Sequence, residues 1–288
     1  MPGLELTATA APGLYGKLPA RGDFVSRRLE TDFVAAWDAW LQRVIAESKA
    51  ALGERWLESF LSAPVWRFVV PAGVFSKSGW AGVMVPSVDR VGRYFPLTLA
   101  APVRQESIDV PSTLLKALAW LEALERFALE ALSPELDFDR FDAALVELGM
   151  PAEIAVVATA SDDTVPLGGQ TPRFEVWPLA EAADAALEQL VQQRSLPVHA
   201  AALWMTHGGE TIGACVAASE RVISGTRFCA LLDGRWSDHE WTLAPCDEKT
   251  RGVDSSRVQA KSAEDPQPDA KPQPSSEHET AMDAKSAP

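Results

Sequence analysis

Apolar residues recur along this chain in blocks of two different periods, and each block predicts the element it forms. Phe33, Trp37, Trp40, Leu41, Val44 and Ile45 return at offsets of 4, 7, 8, 11 and 12, which sets them on one face of a helix over residues 32–51, with Thr31 or Asp32 as its N-cap. A short helical stretch follows from Glu54 to Leu61. Pro64 separates it from three strand-like runs, Val65 to Val70, Trp80 to Val85 and Phe95 to Ala100, whose short connections favour antiparallel neighbours. Ser112 to Leu132 and Phe138 to Leu148 are apolar at helical spacing, the second stopped by Gly149 and Pro151. Further on, Ile154 to Thr159 reads as a buried strand, Phe174 to Trp177 as a short strand and Glu181 to Gln192 as a helix. Ala200 to Met205 and Thr211 to Val216 read as a strand pair turned by His207-Gly208-Gly209, and Phe228 to Leu232 is a last short element. Helices and strands alternate in blocks, which predicts an α/β fold with helices on both faces of a mixed, partly antiparallel sheet.

The pattern stops at about Pro245. Beyond it the chain is Asp, Glu, Lys, Ser, Pro, Gln and Ala, with Val253, Val258 and Met282 almost the only large apolar side chains. Such a segment cannot bury enough surface to offset its ordering entropy. Residues 245–288 are therefore expected to be a disordered tail, a solvated terminus or else a tether with modification sites at Ser255, Ser256, Ser275 or Ser276. Residues 1–13 are expected to be a flexible N-terminus and residues 14–244 a single domain, since nothing before Pro245 has the composition of a linker.

Composition narrows the function classes. A chain of 288 residues that is 47% hydrophobic can bury a sizeable core, and ten Trp against two Tyr make its large aromatic surface mostly indole. A formal charge of −14 argues against nonspecific nucleic-acid binding and against anchoring to an anionic membrane. Cys215, Cys229 and Cys246 are too few and too scattered for a disulfide framework. With no secretory signal and no run of the roughly 18 to 20 apolar residues that a spanning helix needs, the expectation is a soluble cytoplasmic protein.

Two segments are punctuated more tightly than the rest: Gly16-Lys17-Leu18-Pro19-Ala20-Arg21-Gly22-Asp23-Phe24, and Pro86-Ser87-Val88-Asp89-Arg90-Val91-Gly92-Arg93-Tyr94-Phe95-Pro96-Leu97. Each sets Gly and Pro beside an acidic group and paired cations, a composition associated with ordered loops. If the loops meet, Asp23 and Asp89 can hold arginines by bidentate hydrogen bonds while other N–H groups of Lys17, Arg21, Arg90 and Arg93 face outward, forming an anion- or carboxylate-reading patch. The alternative is that the pairs only lock the loops to the sheet. Phe24, Phe95 and Leu97 read as core anchors.

Catalytic signatures are missing. Gly16-Lys17 lacks the upstream Gly and the following hydroxyl of a phosphate-binding loop, with Ala11 and Leu18 at those positions. Arg21-Gly22-Asp23 spells an adhesion tripeptide in a chain with no sign of export. His199 and His207 match no zinc spacing, His239 sits beside Asp238 and Glu240, and His278 lies in the tail. There is no G-x-S-x-G elbow. Neither a cofactor nor a metal is expected. Trp37, Trp40, Trp56 and Trp66 fall at core positions, whereas Trp80, Trp236 and Trp241 are candidate interface aromatics.

Gly16-Lys17-Leu18-Pro19 with Gly22-Asp23-Phe24, Trp37 to Trp40, Ala63-Pro64-Val65-Trp66-Arg67-Phe68 and the whole Pro86 to Leu97 string occur in an order that resembles the TagF family, also called ImpM, of bacterial type VI secretion. The resemblance is strong over residues 13–105 and extends by weaker cues such as Leu203-Trp204 toward residue 235. It implies a three-layer α/β/α sandwich and a cytoplasmic, non-enzymatic protein that represses secretion after translation. It further implies binding to a forkhead-associated scaffold protein, in a pathway tied to a Ser/Thr kinase and its opposing phosphatase. The family offers no catalytic residues to carry over, and the segment after Pro245 is too short to be a fused phosphatase. The rival expectation is a module or enzyme that binds phosphate or a nucleotide through Lys17, Arg21, Arg90 and Arg93.

Overall fold

The computed structural model describes residues 11–103, 109–154, 171–179, 182–198 and 200–244. The expected tail, residues 155–159 of the expected buried strand, His199 and Cys246 lie outside them, as does the expected N-terminal segment up to residue 10.

The strongly periodic blocks form as their patterns predict. Helix α1 spans Thr31–Leu52 and buries Phe33, Trp37, Trp40, Leu41, Val44 and Ile45 on one side. Its N-cap is Glu30 rather than Thr31 or Asp32, and no side chain caps it; Asp32 Oδ1 instead accepts from the Phe33 N–H at 2.8 Å. A 3₁₀ turn at Gly53–Arg55 leads into α2 at Trp56–Ser62. Strands β3 (Trp66–Val70), β4 (Gly79–Val85) and β5 (Leu97–Val103) follow and pair antiparallel in the order β5-β4-β3. Helix α3 spans Val110–Glu130, with the Asp109 carboxylate accepting from the Ser112 N–H and Pro111 in its first turn. Helix α4 spans Phe138–Leu148, opened by Asp137 in the same way and closed by Gly149 at φ 58°.

Of the shorter elements, three form where expected and the others depart from expectation. Strands β1 (Gly13–Gly16) and β2 (Val25–Arg27) form a hairpin on the edge of the sheet. At four and three residues they are too short to show an alternation. As expected, strand β6 covers Phe174–Pro178, α5 Ala183–Gln192 and β7 Ala202–Thr206. Strand β8 is Cys215–Ser219, later than the expected Thr211 start, because Gly209 N–H bonds to Ile212 O at 2.8 Å and keeps residues up to there in the turn. The last expected element is two short helices, α6 (Gly225–Phe228) and α7 (Ala230–Asp233), followed by a two-residue strand β9, Thr242–Leu243.

All strands join one sheet of order β2-β1-β5-β4-β3-β7-β8-β6-β9, antiparallel throughout except for the β6–β9 pair. Alternation along the strands divides the interior in two. Trp66, Phe68, Val70, Trp80 and Trp204 point to the layer of α1, α2, α6 and α7, while Val69, Val83, Leu97, Leu99 and Leu203 point to the layer of α3, α4 and α5. The result is a three-layer α/β/α sandwich. Its two cores differ in kind: eight of the ten Trp lie in the first, and the second is chiefly aliphatic.

That division corrects the expectation for three aromatics. Trp80, Trp236 and Trp241 are not surface anchors; they are 0%, 3% and 3% exposed. Trp80 stacks on Phe33 with ring centroids 3.9 Å apart and donates to Ser76 Oγ at 2.8 Å. Trp236 packs edge-on against both Trp66 and Trp241, and Trp241 donates to Arg227 O at 3.0 Å. Trp80 is covered by α1, and Trp236 and Trp241 by Trp66, Phe174 and each other, long-range contacts that local sequence does not encode.

Candidate functional site

The two punctuated loops meet. β1 pairs with β5, so the loop leaving β1 and the loop entering β5 begin side by side. Gly16 sits at φ 141°, and a Cβ there would collide with Pro96 O and come within 2.8 Å of Leu97 Cα. Only glycine allows that approach. Ser87 Oγ donates to Lys17 O at 2.7 Å, Arg90 N–H to Arg21 O at 2.9 Å, and Arg93 Nη2 to Gly22 O.

Asp89 is the centre of the junction. Its hairpin is closed by the Val88–Tyr94 bridge and by Gly92 at φ 85°. The carboxylate has no exposed side-chain surface and receives four donors: Lys17 Nζ at 2.8 Å, Arg93 Nε at 2.6 Å, Val91 N–H at 3.0 Å and Arg93 N–H at 2.9 Å. Burial opposes ionisation, but the Lys17 ammonium, the Arg93 guanidinium and the two backbone donors outweigh it and hold the Asp89 carboxyl well below the usual carboxylate range. A buried charge without such partners would be strongly unfavourable. Lys17, itself buried, faces this carboxylate and lies 5.1 Å from the centre of the Phe24 ring.

Around this centre the other charges stay open. Arg21 and Arg90 are exposed, and Asp23, expected to hold arginines, instead has a side chain 98% exposed that touches only Arg93 Nη2 at 3.4 Å. Phe24, expected in the core, is 45% exposed, although it stacks on Tyr15 and meets Phe95 edge-on. Phe95 and Leu97 are buried as expected. Arg21, Asp23, Phe24, Arg27, Arg90 and Phe138 line a shallow groove of about 380 Å³ beside β2. The guanidiniums of Arg21 and Arg27 lie 5.0 and 5.3 Å from the Phe138 ring centre. Helix α4, which carries Phe138, is tied to the end of β2 by the next residue, Arg28, whose Nη1 and Nη2 donate to the Asp142 carboxylate at 2.9 and 2.7 Å.

Arg27 and Phe138 are thus site residues that the loop motifs did not include. Arg27 lies three residues past the end of the first motif and was within reach of a charge count. Phe138 comes from a helix more than a hundred residues away and carried only a core signal.

Among the described residues the cysteines and histidines are engaged elsewhere. Burial pushes the Cys215 thiol up, and burial with the nearby Asp233 pushes Cys229 up to about 11, so both are inert as nucleophiles. His207 contacts the buried Arg67, which also pairs with Glu125 at 2.8 Å, and reaches Asp184 at 2.9 Å. His239 pairs with Asp233 at 3.0 Å. Among the described residues there is no cluster of three or more metal-ligating side chains, and no helix is long and apolar enough to cross a membrane.

The site therefore consists of a saturated charge centre and an open cationic groove, both built on the two motif loops. The model of the TagF N-terminal domain, described as type VI secretion system-associated, matches residues 13–148, which include both loops and Phe138. The chain belongs to the TagF family. A similar solved structure is PA0076 from Pseudomonas aeruginosa PAO1, a crystal structure at 2.05 Å resolution, with 30% sequence identity and a TM-score of 0.62 over 82% of this chain and 98% of that one. No curated protein matches. This TagF-family chain is accordingly a type VI secretion-associated protein with an α/β fold.

Proposed function

We propose that this TagF-family protein is a non-enzymatic, cytoplasmic repressor that acts after translation by binding a forkhead-associated scaffold component of the secretion apparatus. The observation that carries this reading is the self-satisfied loop junction inside the family-matched region, which presents exposed Arg21 and Arg90 on one open groove. A preorganised surface of this kind loses little conformational entropy on binding. The mechanism is sequestration: scaffold held in the complex is withdrawn from assembly by mass action, and a kinase and phosphatase acting on the pathway would shift that balance.

The test is co-purification of the scaffold with the tagged full-length protein from its own cells, with Arg21→Glu/Arg90→Glu in parallel and secretion measured in the same strains. Arg93 is unsuitable for this purpose because it also holds Asp89. Recovery of the scaffold by the native protein, loss of it with the variant and derepressed secretion are expected. Absence of the scaffold from the native complex refutes the reading. The three guanidiniums of the groove favour one second reading, a small phosphate or nucleotide ligand; a rise in melting temperature with phosphate or ATP that the same variant abolishes would select it.

A further inference from the structure

The cationic groove runs along the free edge of a strand. Among the described residues β2 pairs with β1 alone, in the register Leu14 to Arg27, Tyr15 to Ser26 and Gly16 to Val25. In an antiparallel pair alternate residues direct both backbone polar groups at the partner, and the residue between directs both away. A Cβ on Gly13 of β1 would collide with Arg27 O, so Arg27 faces β1 and Ser26 faces outward. The Ser26 carbonyl accordingly accepts only a local bond, from Arg27 Nη1 at 2.8 Å. Ser26 and Arg27 are exposed, and both line the groove.

We propose that an extended acidic segment of a partner protein adds to β2 as a further strand. Its main chain pairs with the Ser26 N–H and C=O, alternate carboxylates meet Arg21, Arg27 and Arg90, and an apolar side chain rests on the half-exposed Phe24. This rests on the reading of the loop surface as the partner-binding surface and specifies how the partner is held. Charge selects the occupant. Among the described residues Asp23 is the only carboxylate lining the groove, against three guanidiniums, on a chain whose formal charge is −14. A second copy pairing edge to edge would set the same arginines against each other across a two-fold axis, which like-charge repulsion disfavours. Two of the three guanidiniums are also held in place, by Phe138. An edge of three residues admits few main-chain bonds, so the arginines supply much of the affinity and binding weakens with salt.

The experiment uses the full-length protein and a fluorescent peptide of alternating Glu and Val, with a Lys and Val peptide and inorganic phosphate as comparisons. Anisotropy gives affinity, and amide exchange at Ser26 reports strand addition. The acidic peptide is expected to bind, the basic one not. Arg21→Glu/Arg90→Glu should weaken binding about tenfold or more without lowering the melting temperature. Ser26 exchange should slow in the complex. Failure of the acidic peptide to bind, unchanged Ser26 exchange in a complex that does form, or full displacement by phosphate each overturns the added strand. If the scaffold still co-purifies in those cases, only the strand mode has failed; if it does not, the function on which the mode rests has failed as well.

Discussion

At Asp89 four donors converge on a carboxylate with no exposed surface, whereas beside β2 Arg21, Arg27 and Arg90 surround a groove in which, among the described residues, only Asp23 carries the opposite charge. Both regions are built from the same two loops. The first uses its charges to fix backbone, and its hydrogen-bonding capacity is filled within the fold. The second leaves guanidinium donors facing solvent, where water occupies them and a ligand or partner can replace it. The difference separates residues that shape the surface from residues that face outward on it.

The comparison breaks most severely at the glycine that lets the loops touch. Gly16→Ala would force a Cβ into Pro96 O at a strained φ, and a loss of about 3 kcal/mol or more in unfolding free energy is expected by denaturant titration. Next is Asp89→Asn, which leaves Lys17 buried without its carboxylate and should clearly lower the melting temperature. Because the folded Asp89 carboxyl titrates below its unfolded value of about 3.9, its stabilisation is fully present above about pH 4 and is lost as pH falls toward the folded value. The native protein should therefore lose stability below pH 4 more steeply than Asp89→Asn does; parallel curves would show that Asp89 is not the acid-sensitive group.

Smaller effects sharpen the same contrast. Arg28→Ala cuts the bidentate pair between the residue after β2 and α4, a partly exposed contact, and should cost at most about 1 kcal/mol while speeding amide exchange in β2. Smallest in stability is Arg21→Glu/Arg90→Glu, expected within about 0.5 kcal/mol of the native protein because both side chains are exposed and the contact of Arg21 with the Phe138 ring lies at the surface. Its effect belongs to partner binding. A large melting-temperature loss in this variant would erase the distinction between the two regions.

Much of the fold was legible because its long elements carry strong periodicity. α1, α3 and α4 follow from apolar residues spaced at one helical turn, and β3, β4 and β5 from strand-like runs between Gly and Pro. The β1–β2 hairpin is not legible because three or four residues cannot display a period, and β8 starts later than the apolar run implies because Ile212 belongs to its turn. For the site, the motif strings identified the two loops and the charges on them. They did not divide those charges between lock and groove, since Asp23 and Asp89 occupy similar settings in sequence yet differ completely in exposure.

By itself, then, the sequence determined the helical and strand blocks, the two-faced sheet and the ordered loops, because each depends on contacts within a turn, a hairpin or an alternating face. Tertiary structure alone decided that Asp89 is saturated while Arg21 and Arg90 are open, that Phe138 supports the groove from α4, and that Trp80, Trp236 and Trp241 are covered. Those outcomes depend on which distant segments arrive at the same place, and burial and charge pairing are properties of that arrival rather than of any local string.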